Sequence, residues 1–109
     1  MTDDWPAELD ALVAAPAHHA LMLENDHVRV LDTRIAPGDT TPVHTHRWPA
    51  VLYVVSGGEF VRHDADGNVI ASGTLTTGAS LWSAPFPPHA LENAGDTEIR
   101  TINVELKQA

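Results

Sequence analysis

The sequence contains no cysteine, few basic residues and no long run of apolar residues. Without cysteine there are no disulfides, no thiolate ligands for a metal and no cysteine nucleophile. Six lysines and arginines stand against fifteen aspartates and glutamates, which gives a net charge of −9. Such a surface repels phosphate backbones and anionic lipid headgroups, so we expect neither nucleic acid nor a membrane as a partner. No apolar stretch approaches the ~20 residues of a membrane-spanning helix.

The length and composition favour one domain with a packed core. The chain has 109 residues, of which 43% are hydrophobic, and a domain of this size buries about two thirds of its unfolded surface. The opening stretch MTDDWPAELD is acidic and lacks the basic and then apolar layout of a signal peptide, so we expect a cytoplasmic protein. Seven histidines are many for so short a chain, and a functional interpretation has to explain them.

Residues 1–19 predict a short N-terminal helical segment, which Asp3 or Asp4 can cap. Its apolar residues fall at i, i+3 and i+4, as one stripe of a helix requires: Leu9, Leu12 and Val13. We interpret this segment as a lid on its own domain or on a sister subunit, with a partner-binding helix as the alternative. His18 and His19 are interpreted as surface or strand-edge residues, with a core position for one of them as the alternative.

Residues 20–109 predict a domain made almost entirely of strands. Residues 50–55 are apolar throughout, which suits a strand covered on both faces. The tight-turn sequence Asp-Gly-Asn predicts a hairpin between residues 59–64 and residues 69–73. Many short strands at close spacing, separated by glycine and proline turns, are typical of an all-β sandwich or barrel.

Two segments carry the residues that suit a metal site. In residues 38–57, His44 and His46 are two apart, and side chains at i and i+2 of a strand project to the same face. Both imidazoles can then reach one metal ion, although two exposed loop histidines would explain the pair alone. In residues 78–93, two prolines fix the backbone before His89 and are expected to place it at the start of a strand.

The first of these segments resembles the first motif of the cupin superfamily, above all of its small single-domain members. That motif runs from a glycine through His-x-His and a glutamate to a second glycine. This sequence supplies Gly38, His44, His46 and Gly57 at the matching spacing. Ala50 stands where the glutamate is expected.

The second segment resembles the second cupin motif, in which Pro-x-Gly precedes a histidine and an asparagine follows it. Gly78, Pro85, His89 and Asn93 match, and Pro87 replaces the glycine. Agreement of two spaced motifs is more specific than a match to either alone.

The resemblance covers roughly residues 20–106 and implies a cupin-type double-stranded β-helix, or jelly-roll barrel, behind the short N-terminal helix. It also implies one divalent transition metal bound by His44, His46 and His89. Imidazole suits iron, zinc, nickel, cobalt, copper or manganese better than magnesium or calcium, which prefer oxygen ligands. Three neutral imidazoles leave the charge of the ion uncompensated, which favours an anionic or chelating substrate.

Five residues are predicted to form the pocket around this metal: Trp48, Ala50, Leu52, Trp82 and Phe86. Strand parity places Ala50 and Leu52 toward the barrel interior and Tyr53 on the opposite face. Trp48 packing at the mouth and Trp82 packing in the core are the alternatives for the two tryptophans. An arginine inside the barrel would hold a substrate carboxylate, and a surface salt bridge is the alternative for each candidate. The candidates are Arg34, Arg62 and Arg100.

The leading functional hypothesis is a three-histidine, iron(II)-type dioxygenase that acts on a small metal-chelating molecule, because such centres occur in some cupin dioxygenases. The missing glutamate leaves two alternatives open. One is a non-catalytic cupin that binds a small ligand, and the other is a metal-dependent isomerase or lyase. Small cupins commonly pair, and apolar residues on both faces of the central strands allow it, so we expect a homodimer.

Overall fold

The structure is a computed structural model that describes residues 5–107 of the chain. Strands account for most of these residues, which confirms the all-β prediction. They are β1 His19–Glu24, β2 Val28–Ile35, β3 His44–His46, β4 Ala50–Ser56, β5 Gly58–Asp64, β6 Val69–Leu75, β7 Ser80–Ser83, β8 Phe86–Asn93 and β9 Ile99–Leu106.

The strands form two antiparallel sheets that enclose a common interior, which confirms the predicted double-sheet barrel. One sheet has the order β1-β2-β9-β4-β7 and the other the order β3-β8-β5-β6. Strands β2 and β9 pair along their whole length, from Val28 opposite Leu106 to Ile35 opposite Ile99. This long ladder forms the centre of the larger sheet.

The hairpin predicted from Asp-Gly-Asn is present between β5 and β6. Gly67 has a φ of +88°, a left-handed conformation that glycine adopts at no steric cost. The Asp64 carboxylate accepts hydrogen bonds from the backbone amides of Asp66 and Asn68, both at 2.9 Å. The aspartate therefore stabilises the turn that the glycine permits.

The N-terminal segment is helical over a shorter range than predicted. A 3₁₀ turn covers Ala7–Leu9, and the helix α1 covers Ala11–Ala14. The cap of α1 is Asp10, whose carboxylate accepts a hydrogen bond from a first-turn amide. The predicted caps, Asp3 and Asp4, lie outside the described residues. No helix within residues 5–107 is long and apolar enough to span a bilayer.

The N-terminal segment packs most closely through small residues, because Ala11 and Ala15 are fully buried. Of the predicted apolar stripe, Leu9 and Leu12 are half-buried and Val13 is 62% exposed. A β-bridge between Asp10 and Thr45 lays the segment along β3. Alanine allows this close approach because a larger side chain would hold the helix away from the strand. The segment thus covers β3 from outside.

The inner face of β9 is more polar than its outer face. Alternate residues of β9 are buried, and they are Ile99, Thr101, Asn103 and Glu105. The residues between them point outward, and they are Arg100, Ile102, Val104 and Leu106. Because polar groups are costly to bury without a reason, this inner face marks the interior as a site and not as a simple core.

Asn93, which ends β8, joins three segments of the chain. It is fully buried. Its side-chain nitrogen donates to the carbonyl oxygens of Ile35 and Thr97 at 2.9 and 2.8 Å. Its Oδ1 accepts a hydrogen bond from the amide of Gly95 at 3.0 Å. The motif asparagine therefore has a structural role.

We predict that Asn93→Ala lowers the free energy of unfolding by about 3 kcal/mol, because two carbonyls and one amide lose a partner and each buried unpaired group costs about 1–3 kcal/mol. Asn25→Ala is the matched control. Asn25 accepts hydrogen bonds from two backbone amides but is exposed, so water replaces it at a cost of about 1 kcal/mol. Urea unfolding measures both values, and equal losses would contradict a special role for Asn93.

Candidate metal centre

Strand β3 places two histidines on the inner face of the barrel, as the sequence predicts. His44 is 2% exposed, and its ring centroid lies 5.0 Å from that of His46. Thr45, between them, points the other way and meets the N-terminal segment. The period-two alternation of a strand therefore brings both imidazoles together.

Strand β8 brings His89 beside His44. The two residues are opposite one another in the β3–β8 pairing, and their ring centroids are 4.4 Å apart. The prediction that His89 starts a strand is wrong, because β8 begins at Phe86 and includes both prolines. Prolines are tolerated there because β5 pairs with β8 only from His89 onward, so this end of β8 has a single neighbouring strand.

His19 is the histidine that the sequence analysis did not place in the site. His19 begins β1, an edge strand of the larger sheet, as the strand-edge interpretation expects. The interpretation as a surface residue is wrong, and the core alternative holds, since His19 is 4% exposed. It pairs with Thr33 at the start of β1 and faces the interior. A ring nitrogen of His19 lies within 4.8 Å of ring nitrogens of His44 and His46. His89 is not part of this tightest group, so its role as a ligand stays a prediction.

These four residues, His19, His44, His46 and His89, form the histidine cluster. The Nδ1 atom of each ring forms a hydrogen bond with an oxygen. The pairs are His19 with Ala15 O at 3.0 Å, His44 with Pro42 O at 2.8 Å, His46 with Glu105 Oε2 at 2.7 Å and His89 with Pro87 O at 2.8 Å. A carbonyl or carboxylate oxygen accepts, so Nδ1 carries the hydrogen and Nε2 keeps a lone pair. Within residues 5–107, none of the four Nε2 atoms has a hydrogen-bond partner.

Three of the four rings are held in their neutral form. Burial, with a smaller contribution from neighbouring imidazoles, lowers the pKa of His19, His44 and His89 to about 3 in each case. Neutral rings with a free Nε2 are the form in which histidine binds a metal. The donor set therefore fits a transition metal without prior loss of a proton.

The carboxylate missing at Ala50 has a counterpart one strand away. Glu105 lies opposite Ala50 in the β4–β9 pairing and is fully buried. One oxygen of Glu105 accepts the hydrogen bond from His46, and the other accepts one from Arg29 Nε at 2.6 Å. Arg29 also donates to both oxygens of Asp10, at 2.9 and 3.0 Å. Glu105 therefore orients a ring of the cluster, as carboxylates commonly do beside metal-binding histidines.

The charges in this ion chain stabilise one another. Burial raises the pKa of Asp10, but the hydrogen bonds from Arg29 outweigh it and leave the pKa lowered. Burial lowers the pKa of Arg29, but Asp10 and Glu105 outweigh it and leave the pKa raised. The guanidinium also lies 4.9 Å from the ring of Trp48, in a cation–π contact. The sequence analysis did not predict that Glu105 faces the interior, because the residues of β9 that face inward are less apolar than those that face outward.

A cavity of about 110 Å³ opens beside the histidine cluster. Four of the five predicted pocket residues line it: Trp48, Ala50, Leu52 and Phe86. The prediction for Trp82 is wrong, both as a pocket residue and as a core residue, because Trp82 is 64% exposed. Leu81 and Ser83 line the cavity in its place, since alternation along β7 turns the residue between them outward. Tyr53 is 47% exposed, which confirms its outward placement.

We predict that Arg29→Met lowers the free energy of unfolding by about 3–5 kcal/mol, because Glu105 is then a buried charge without its cationic partner. The double variant Arg29→Met/Glu105→Leu should recover part of this loss. Arg100→Met is the control, because its 3.0 Å pair with Asp32 is on the outer face and is expected to contribute about 1 kcal/mol or less. If urea unfolding shows Arg29→Met to be no more damaging than the control, the ion chain is not a structural determinant.

Comparison with known proteins agrees with this geometry. The family model of the cupin domain matches residues 31–105, whereas no curated protein sequence matches significantly. A cupin domain from Bordetella pertussis Tohama I superposes with a TM-score of 0.73 at 26% identity, over 83% of this chain and 92% of that one. An RmlC-like cupin from Shewanella frigidimarina has a TM-score of 0.55 at 26% identity, over 83% and 75% of the respective chains.

A predicted oxalate decarboxylase from Thermotoga maritima also resembles this chain, with a TM-score of 0.57 at 21% identity, over 83% of this chain and 79% of that one. At this identity the likeness concerns the fold alone. The family match covers well over half of the sequence and includes both histidine motifs. The chain therefore belongs to the cupin family.

Proposed function

We propose that this cupin binds one divalent transition-metal ion through the histidine cluster and acts with it on a small organic molecule. The observation that carries the proposal is the common hydrogen-bonding pattern of the four rings. All four rings use Nδ1 for a hydrogen bond to the protein, which leaves Nε2 as the free donor of each ring beside one cavity. A cluster of buried histidines with a purely structural role would have no need of this common orientation.

His44 and His46 are the central ligands of the proposed site, because each lies close to both remaining rings of the cluster. His89 is the third ligand that the cupin motif implies. His19 supplies a fourth nitrogen donor from β1, which compensates in number for the carboxylate absent at Ala50.

The chemistry of the donors favours iron, cobalt, nickel, copper or zinc over manganese, which prefers carboxylates. Such an ion supplies Lewis-acid activation of a substrate and, in the case of iron, electron transfer to dioxygen. The protein supplies the surroundings. Glu105 fixes the ring of His46, and Leu52, Leu81 and Leu91 give part of the cavity an apolar wall. Electrostatic contacts beside apolar walls are stronger than the same contacts in water.

The finer proposal is an iron(II)-dependent dioxygenase. A cluster of histidines without a carboxylate ligand supports it, since Glu105 is already engaged by Arg29 and His46. The cavity of about 110 Å³ beside the cluster is large enough for a small substrate. The alternative is a cupin that binds a small ligand without turnover.

We predict that protein purified without a chelator or a histidine tag holds a single divalent ion per chain. Nickel(II) at a hundredfold excess over its Kd should stabilise the fold by about 2.7 kcal/mol. His44→Ala should abolish both effects, whereas His27→Ala removes an exposed histidine outside the cluster and should change neither. A metal content well below one per chain, unchanged after adding Fe(II), Zn(II) or Ni(II), would overturn the proposal.

Oxygen consumption separates the dioxygenase from the binding module. Iron-loaded protein supplied with small carboxylic and keto acids should consume oxygen, and zinc-loaded protein should not, because zinc has no redox chemistry. Stabilisation by a ligand without any turnover would favour the binding module.

We also propose that two copies of the chain pair through the outer face of the larger sheet. One row of apolar residues crosses all five strands through successive cross-strand pairs: Trp82, Val51, Val104, Val30 and Leu23. Leu23 and Val51 are 54% and 39% exposed, and Tyr53 and Ile102 extend the row as a neighbouring pair. A continuous apolar patch with exposed aromatic side chains is typical of an interface.

We predict that Val51→Lys converts the dimer to a monomer in sedimentation velocity, because it places a charge within this row. Val69→Lys is the matched control, since Val69 is 62% exposed on the other sheet and the variant should remain dimeric. A wild-type protein that sediments as a monomer at all concentrations would contradict the pairing.

A further inference from the structure

The cavity beside the histidine cluster contains an arginine that forms no ion pair with any of the residues that the structure describes. Arg62, on β5, lines the cavity, and no carboxylate within residues 5–107 forms an ion pair with it. The other two strand arginines that the sequence offered as substrate-binding candidates are on the outer face. Arg34 and Arg100 both bond to Asp32, at 3.3 and 3.0 Å. Arg62 is thus the one of these three that the fold turns inward.

Strand register places Arg62 next to the histidine cluster. In the β5–β8 pairing, Arg62 is opposite Leu91 and Asp64 is opposite His89, so Arg62 and His89 are diagonal neighbours on the same face. Phe86 lies between them. Its ring is 4.5 Å from the Arg62 guanidinium carbon and 4.3 Å from the His89 ring centroid. The Phe86 ring therefore lies between the Arg62 guanidinium and the histidine cluster.

The hydrogen-bonding capacity of Arg62 is unused. Its Nε is buried without a hydrogen-bond partner, and no side chain or carbonyl within residues 5–107 accepts a hydrogen bond from its Nη atoms. Burial lowers the pKa of Arg62, yet a guanidinium stays protonated in proteins. A partly buried charge without a partner is costly. Fifteen acidic residues were available to neutralise it, so an open guanidinium here indicates a position kept for a ligand.

The rest of the cavity limits what that ligand can be. Beside Arg62, the walls include Leu75, Leu81 and Leu91, which offer only apolar contact. The volume of about 110 Å³ is somewhat below the ~150 Å³ of a cavity that holds benzene. The lining also includes neutral polar side chains, Thr101 and Asn103 among them. A single cation beside apolar walls matches one carboxylate with a short hydrocarbon body, whereas the greater charge of a phosphate favours more than one cationic donor.

We propose that the substrate class of this cupin is small organic carboxylates. Arg62 binds the carboxylate, and the remainder of the molecule lies between the leucines and the histidine cluster. This inference rests on the proposed function, in which a metal ion at the histidine cluster acts on the part of the substrate that lies away from Arg62. The Arg62 contact itself does not require the metal. The planar guanidinium presents two parallel N–H donors to the two carboxylate oxygens, which selects a carboxylate over an amide of the same shape.

Calorimetric titration of the full chain, nickel-loaded and metal-free, tests this assignment. The probes are acetate, propionate, butyrate and benzoate, each paired with its neutral amide, and inorganic phosphate. At least one carboxylate should bind about 10- to 100-fold more tightly than its amide, as expected for charge-assisted hydrogen bonds. Arg62→Met should remove this preference and leave amide binding and nickel binding unchanged.

Two further variants complete the design. Arg34→Met removes the same charge from the outer face, where Arg34 is 52% exposed, and should leave the carboxylate preference intact. Arg62→Lys keeps the charge but loses the paired donors, so it should retain only part of the preference. Arg62→Met should fold, because replacing an unpaired buried charge by an apolar side chain tends to stabilise. Arg62→Lys provides the second measurement if it does not.

The outcomes distinguish this inference from the proposed function. Failure of the wild type to bind nickel overturns the metal proposal, and carboxylate binding to the metal-free protein still decides the role of Arg62. Carboxylates that bind no better than their amides, or a preference that survives Arg62→Met, overturn the assignment of Arg62. Tighter binding of phosphate than of every carboxylate would overturn the substrate class.

Discussion

The buried ion chain from Asp10 through Arg29 and Glu105 to His46 is the interaction on which the rest of this structure depends. It joins the N-terminal segment, β2, β9 and β3, and so it crosses from one sheet to the other. Glu105 is fully buried, and a buried carboxylate is tolerated only when its charge and hydrogen bonds are met. The N-terminal segment therefore belongs to the support of the histidine cluster, because its Asp10 fixes Arg29.

Strand β9 carries polar residues on its inner face and apolar residues on its outer face. The inward set includes Thr101, Asn103 and Glu105, while Ile102 and Val104 point outward. A buried polar lining suits the proposed binding site, and an apolar outer row suits the proposed association. Both properties arise from the alternation of the same strands, so the site and the proposed pairing surface lie back to back on one sheet.

The electrostatics of the cavity differ from those of the molecule as a whole. The chain carries a net charge of −9, yet the cavity presents imidazoles, a glutamate that is ion-paired with Arg29, and the guanidinium of Arg62. A bound divalent ion would add further positive charge. An anionic substrate is thus repelled by the general surface and stabilised only within the cavity, which favours selectivity over rapid capture.

The sequence by itself determined the all-β class and the strand that carries His44 and His46, because period-two alternation and turn residues act over a few positions. The double-sheet barrel and most of the pocket lining were implied by the resemblance of two segments to the cupin motifs. Only the tertiary structure decided which histidine and which carboxylate complete the cluster. His19 and Glu105 are 25 and more residues from His44 in the chain, and β1 and β9 reach it through pairing that no local pattern encodes. Arg62 belongs to the same class, because three strand arginines look alike in the sequence and only the fold shows which of them lacks an acidic partner.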